Sequence, residues 1–137
     1  MTKDWRHGDT WKKDGNSFQV EVVHWLNTAS LPEDGPHRWN VYAYIWKMHP
    51  LFAAFQPDAD MLSEAAQSLK LHCGATFCTP LRNPDGDVYG WKVGSDYQHY
   101  RDDFSEIATQ QDAGKIFADA EELFSQLQEM QDAARSS

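Results

Sequence analysis

Residues 38–47 alternate in a way that strongly limits the folds open to this chain. Apolar side chains occupy every second position of this segment, at Trp39, Val41, Ala43 and Ile45. The intervening positions hold Asn40, Tyr42, Tyr44 and Trp46. A period of two predicts a β-strand. Because aromatic residues occur on both sides, the strand is either central and covered on both faces or part of a sheet with one face suited to binding.

The flanking segments predict an α+β fold. Residues 18–26 also alternate, and the Asp-Gly pairs at 14–15 and 85–86 are typical of hairpin turns. Residues 58–71 and 112–130 carry apolar side chains at helical spacing, and residues 72–81 and 87–93 predict strands. We therefore predict an antiparallel sheet of about 4–5 strands with both helices on one face and a long C-terminal helix. We expect residues 1–132 to form a single domain and residues 133–137 a frayed tail.

Composition and charge argue against several classes of protein. Aromatic residues make up 13% of the 137 residues, enough for a sizeable core. The formal net charge is -9, with 12 basic against 21 acidic residues, so we expect no direct contact with nucleic acid. This acidity suits solubility, or a partner protein with a basic groove. Because no apolar run could span a bilayer and the N-terminus resembles no secretory signal, we expect a cytoplasmic protein without membrane contact, its thiols reduced.

Residues 88–104 crowd titratable and aromatic side chains together without an amphipathic pattern. Within this stretch, Asp96, His99 and Asp102 follow at a spacing of three, which brings them to one side of a helix or turn. A carboxylate beside an imidazole fixes its tautomer and raises its basicity, as general-base catalysis and metal ligation both require. His49 and His72 could join this cluster and hold a divalent metal ion. The alternative is that Asp96 and His99 only cap a turn, since the spacing matches no named metal motif.

The two thiols also have two interpretations. Cys73 and Cys78 are five positions apart, so on one strand they would point to opposite faces and could not form a disulfide with each other. Either could serve as a nucleophile with His99 and Asp96, but no spacing specifies that geometry. Small, buried side chains are the simpler interpretation.

Five aromatic residues form a candidate interaction surface: Tyr42, Tyr44, Trp46, Trp91 and Trp25. If exposed, they would bind another protein, because Trp and Tyr dominate binding hot spots. If a helix covers them, they belong to the core.

Three short patches resemble a family of small bacteriophage and prophage proteins, and the resemblance covers roughly residues 39–127. The patches are residues 49–52 (HPLF), 72–77 (HCGATF) and 90–99 followed by Asp102, where the family has HPLY, HGGLTY and WWxGFDCxHxGD. The resemblance implies that five residues match the family's polar positions: His49, His72, Asp96, His99 and Asp102. The chain departs from the family at Cys73, Ser95, Tyr97 and Arg101. Because position 97 is not a cysteine here, cysteine chemistry at that position does not transfer, and the resemblance implies an origin and a shape rather than an activity.

Two classes of function follow. The first is a phage or mobile-element accessory protein that binds a host protein, for example an anti-defence inhibitor that imitates nucleic acid and occupies a basic nucleic-acid-binding protein. The second is a small hydrolase or metal-dependent enzyme that uses His49, His72, Asp96 and His99. We expect no cofactor other than a divalent metal at such a cluster.

Overall fold

The computed structural model describes residues 10–26, 35–59, 61–97 and 107–136, apart from the side chain of Asp96. In chain order, the elements are β1 (Thr10–Asp14), β2 (Phe18–Leu26), β3 (His37–Trp46), a 3-10 turn (Phe52–Phe55), α1 (Glu64–Ser68), β4 (Phe77–Arg82), β5 (Val88–Asp96) and α2 (Gly114–Ser136). This order agrees with the predicted sequence of three strands, a helix, a hairpin and a long C-terminal helix.

The five strands form one antiparallel sheet in the order β1-β2-β3-β5-β4. β3 is central, so that Val41 lies opposite Val22 of β2 on one side and opposite Ser95 of β5 on the other. β4 forms one edge, where Pro80 is tolerated because an edge strand can lack a backbone donor on its outer side. The α+β prediction with an antiparallel sheet is confirmed.

One face of the sheet is apolar and packs against α2. The ring centroids of Phe18 and Phe124 lie 5.0 Å apart, and Trp11 meets the edge of Phe117 at 5.4 Å. The buried side chains of β2 and β3 on this face are Phe18, Val20, Val22, Trp39, Val41, Ala43 and Ile45. Their partners recur at helical spacing in α2: Ile116, Ala120, Leu123, Phe124 and Leu127. Burial of this apolar surface is the main source of stability.

The 3-10 turn brings α1 to the same face of the sheet. From the core side of β5, the indole nitrogen of Trp91 donates to the carbonyl of Phe52 at 3.1 Å. The Ser63 hydroxyl, just before α1, donates to the carbonyl of Phe55 at 3.2 Å. Both helices therefore pack on one face, as predicted.

The first helix is shorter than the predicted segment 58–71. Ser63 is its N-cap, because its hydroxyl accepts a hydrogen bond from the backbone nitrogen of Ala66 at 3.1 Å. The helix ends before Leu69, whose backbone is extended at φ -67° and ψ 140°. Leu69 and Leu71 are buried nonetheless, whereas Met61 is 68% exposed. The apolar residues that suggested a long helix are thus shared between a short helix and an extended segment.

The prediction of a strand over residues 72–81 is wrong in its first half, since β4 begins only at Phe77. Cys73 and Gly74 have φ values of 59° and 85°, which form a turn and are incompatible with an extended strand. Cys73 and Cys78 therefore do not share a strand, and the inference from their spacing does not apply.

α2 is tied to the sheet by polar contacts as well as by its apolar stripe. The buried Ser17 hydroxyl donates to the side-chain oxygen of Gln131, and Lys13 pairs with Glu121 at 2.6 Å. The helix continues to Ser136, beyond the point where we expected a frayed tail. Within the described part of the chain, no helix is both long and apolar enough to cross a bilayer.

Candidate functional site

A row of aromatic rings lies on the face of the sheet opposite α2. We call it the aromatic face, and it consists of Tyr42, Tyr44, Trp46, Phe77 and Tyr89. The Tyr44 and Trp46 rings are 5.5 Å apart, Trp46 and Tyr89 are 6.3 Å apart, and Tyr42 and Phe77 are 5.9 Å apart. The helices in the described residues pack on the other face. The row therefore crosses three strands without a described helix above it.

Two glycines of β5 provide the floor on which these rings lie. The register sets Gly94 opposite Tyr42 and Gly90 opposite Trp46. A β-carbon at position 94 would overlap the Tyr42 ring and come within 2.8 Å of the Phe77 ring. A β-carbon at position 90 would lie 2.9 Å from the Trp46 ring. Glycine in this strand thus permits a close approach of the rings to the backbone.

Polar side chains hold the aromatic face in a defined arrangement. The Lys92 ammonium lies 4.1 Å from the centroid of the Tyr42 ring, a cation–π contact. The Tyr44 hydroxyl donates to Glu21 at 2.7 Å, and Lys12 lies 3.8 Å from the same carboxylate. Burial raises the pKa of Tyr44, and the hydrogen bond to Glu21 raises it further, so the hydroxyl remains a donor. These contacts limit side-chain motion, which reduces the entropy that binding would cost.

The predicted interaction residues divide between the two faces of the sheet. Tyr42, Tyr44 and Trp46 share the aromatic face, where each is half-buried. Trp91 lies opposite Ile45 on the core face and is only 7% exposed. Trp25, in contrast, is 46% exposed, and its indole nitrogen donates to Asn40 at 2.8 Å.

His49 lies within the core. It is 2% exposed, and its ring meets the edges of the Phe18 and Phe55 rings at 6.2 and 6.5 Å. Its Nδ1 atom accepts a hydrogen bond from the backbone nitrogen of Leu51 at 3.0 Å. Burial lowers the pKa of His49, and the backbone of Leu127 opposes this shift. This arrangement suits a neutral packing histidine more than a catalytic base.

His72 contacts Tyr97, the last described residue of the crowded stretch 88–104. Its ring stacks on Tyr97 at 4.4 Å, and the Tyr97 hydroxyl donates to Asp119 at 2.7 Å. Lys115 binds the other oxygen of Asp119 at 2.6 Å, and this hydrogen bond raises the pKa of Lys115. A cavity of about 270 Å³ opens beside these groups, with Cys73 at its margin. Two of the three sequence patches therefore meet here.

Of the three histidines expected to converge, the structure describes His49 and His72, and these two lie apart. His49 lies beside Leu127 of α2, whereas His72 lies near Asp119 of the same helix. Asp119 and Leu127 are eight residues apart, which corresponds to about 12 Å along the helix axis. Asp96 closes β5 opposite Asn40, but its side chain and residues 99 and 102 lie outside the described part of the structure. Over residues 10–26, 35–59, 61–97 and 107–136, no group of three or more His, Cys, Asp or Glu is arranged to hold a metal ion. A metal at the His/Asp cluster stays a prediction.

The two thiols lie in different environments. Cys78 is half-buried on β4, with its sulfur 3.5 Å from the carbonyl of Phe55. Burial raises the pKa of Cys78 to about 11, so the thiol stays protonated near neutral pH. Cys73 is exposed on the turn beside His72.

The sequence interpretation missed one close pair of titratable groups, His24 and His37. The Nε2 atom of His24 lies 2.8 Å from the Nδ1 atom of His37, across β2 and β3. Both occupy inward positions at the ends of their strands nearest the connecting loop. The alternation of each strand predicts that both histidines face the core. Their contact also depends on the register between β2 and β3, which the sequence does not specify.

No protein-family model matches this chain, and neither does any curated protein or solved structure. The resemblance of the three patches to phage proteins stays a prediction.

Proposed function

We propose that this protein acts by binding another protein through the aromatic face. The observation that carries the proposal is the row of half-exposed rings on a sheet face with no described helix above it. Tyr and Trp supply large contact areas at low entropic cost, and they are enriched at the centres of protein interfaces. A face held by cation–π and carboxylate contacts is also largely preorganised for binding.

The charges around the rings favour a protein over a nucleic acid as the partner. Lys12 and Lys92 are balanced by Asp14 and Glu21 on the same face. Sheets that bind single-stranded nucleic acid combine stacking aromatics with an excess of Lys and Arg. Here the Glu21 carboxylate lies beside the rings, and the whole chain carries a net charge of -9.

The net acidity supports a basic partner. Long-range attraction would bring a positively charged protein toward this one, and the aromatic face would then supply the short-range contacts. A basic nucleic-acid-binding protein of a host cell is the specific form of this proposal. The protein would then act as an accessory protein or an anti-defence inhibitor, a role that suits the phage origin implied by the resemblance.

A capture experiment tests the proposal. Wild-type protein and three variants are immobilised and exposed to lysate of the native cells. Thr79→Arg adds bulk and charge at an exposed position opposite Lys92, and Tyr89→Ala removes an exposed ring. Met61→Ala, which removes an exposed apolar side chain elsewhere, is the matched control.

We expect wild type and Met61→Ala to retain the same basic protein, identified by mass spectrometry. Retention should fall about tenfold or more in the other two variants, as for hot-spot residues. Equal retention by all four proteins, or no specific protein at all, contradicts the proposal.

A small hydrolase is the second candidate, favoured by the cavity beside His72. Lys115 and Asp119 line this cavity, so an imidazole, an ammonium and a carboxylate border one space. Turnover of chromogenic esters and phosphoesters by wild type, but not by a folded His72→Ala variant, would support this function. Equal turnover by both proteins would count against it.

A further inference from the structure

The His24 and His37 rings point their nitrogens directly at one another. The nitrogen atoms are 2.8 Å apart, whereas the ring centroids are 5.0 Å apart with an angle of 19° between the planes. The rings therefore meet edge to edge in nearly parallel planes. One ring nitrogen donates its hydrogen to the lone pair of the other.

The sheet holds this pair in place. In the antiparallel register, His24 lies opposite Trp39 and His37 lies opposite Leu26, so the two histidines are diagonal neighbours on one face. The Trp39 ring packs against His24 at 4.6 Å and limits its rotation. Both histidines are half-buried, so solvent ions reach them. Two side chains on adjacent paired strands form a more rigid site than side chains on loops.

We propose that His24 and His37 form a binding site for a late first-row divalent cation such as Zn²⁺, Ni²⁺ or Cu²⁺. With metal–nitrogen bonds of about 2.0–2.1 Å, two ligands at ordinary bond angles place their nitrogens about 3.0–3.4 Å apart. The existing separation of 2.8 Å would widen by a few tenths of an ångström, and the rings would turn so that both lone pairs converge on the metal instead of facing each other. Because one facing nitrogen now carries a hydrogen, that ring must adopt its other tautomer, which requires no net loss of a proton.

The ligand type determines which metals the pair can select. Neutral imidazole suits Zn²⁺, Ni²⁺ and Cu²⁺, whereas Mg²⁺ and Ca²⁺ prefer oxygen ligands. The two imidazole nitrogens are the ligands that we assign, and further donors complete the coordination sphere. For a given nitrogen site, Cu²⁺ binds more tightly than Ni²⁺ or Zn²⁺.

Calorimetric titration of the full chain with Zn²⁺, Ni²⁺ and Cu²⁺ tests the site. We expect one equivalent of each metal to bind, with Cu²⁺ bound most tightly. The variants His24→Ala and His37→Ala should each weaken binding about tenfold or more. Met48→Ala is the control, since it removes an exposed side chain beyond the end of β3 opposite His37. Circular dichroism checks that each variant is folded, and His37→Ala alone suffices if His24→Ala does not fold.

Nitrogen-15 NMR provides a second readout. Zn²⁺ should shift the resonances of His24 Nε2 and His37 Nδ1, and leave those of His49 unchanged. The site is refuted if wild type binds none of the three metals. It is equally refuted if either pair variant binds the metals as tightly as wild type, or if Met48→Ala weakens binding as much as they do.

Discussion

The side chain of Tyr97 connects three segments that are far apart in the sequence. It is 1% exposed, stacks on His72 from the turn before β4 and donates a hydrogen bond to Asp119 of α2. Asp119 also accepts a hydrogen bond from the Lys115 ammonium, so each oxygen of its carboxylate has a partner. Tyr97 therefore links the turn before β4 to α2, and the residue types of segment 88–104 alone did not predict these contacts.

Removal of the Tyr97 hydroxyl should destabilise the fold. We expect Tyr97→Phe to lower the free energy of unfolding by about 1–2 kcal/mol, because a hydrogen bond to a charged group is lost inside the protein. Tyr89→Phe, at an exposed tyrosine, is the control and should change it by less than about 0.5 kcal/mol. Urea denaturation measures both, and equal stability of Tyr97→Phe and wild type would contradict the contact.

His49 should make stability depend on pH. Burial lowers its pKa, so the unfolded chain takes up this proton at a higher pH than the folded protein does. The contribution to stability is complete above about pH 6.5 and is lost as the pH falls below that value. His49→Gln keeps an acceptor for Leu51 but cannot titrate.

Between about pH 7.5 and pH 5, the wild type should therefore lose stability more steeply than His49→Gln. The difference in slope is at most about 1.4 kcal/mol per pH unit for one group. Urea denaturation at a series of pH values measures both slopes. Parallel profiles for the two proteins would show that His49 is not held neutral by the core.

Among the elements, β5 has the most demanding position in the sheet. It lies between β3 and the edge strand β4, with Trp91 and Val93 in the core and glycines beneath the aromatic rings. Its two faces therefore impose opposite requirements on side-chain size.

Two glycine-to-alanine substitutions distinguish a glycine that leaves space for a neighbouring ring from a glycine that only adds backbone flexibility. Gly94→Ala should destabilise the protein by about 1–3 kcal/mol, because the new methyl group overlaps the Tyr42 ring. Gly114→Ala, at the first residue of α2, meets nothing within 4 Å and should stabilise the protein by about 0.5–1 kcal/mol. Thermal and urea denaturation measure both changes. A Gly94→Ala variant as stable as wild type would contradict the description of β5.

The sequence predicts those elements whose patterns are local. Alternation gave β2 and β3, and it correctly grouped Tyr42, Tyr44 and Trp46 on one side. It could not place Trp91, because the face of β5 depends on how Gly90 and Gly94 pair with β3. The long-range contacts depend on register and packing, so neither the His24–His37 pair nor the contact of His72 with Tyr97 follows from spacing.

At the scale of the whole molecule, the exposed acids of α2 and the aromatic face lie on opposite sides of the described sheet. On α2, Glu122, Glu129 and Asp132 are exposed, and the helix packs on the face of the sheet opposite the rings. The charges around the aromatic face are balanced. Long-range attraction and short-range contact thus come from different surfaces of the protein.

This separation predicts a specific dependence on salt for the captured partner. Raising the ionic strength should slow association, because screening weakens long-range attraction. The dissociation rate should change little, because apolar contacts at the rings determine it. Surface plasmon resonance with the purified partner measures both rates, and a dissociation rate that rises steeply with salt would indicate a mainly ionic interface.

Site-specific photo-cross-linking tests the central claim most directly. A photoreactive phenylalanine analogue is introduced at position 89, on the aromatic face, or at exposed position 125, on α2. After irradiation with the captured partner, we predict strong cross-links from position 89 and few from position 125. Cross-links that form only from position 125, or equally from both positions, would contradict binding through the aromatic face.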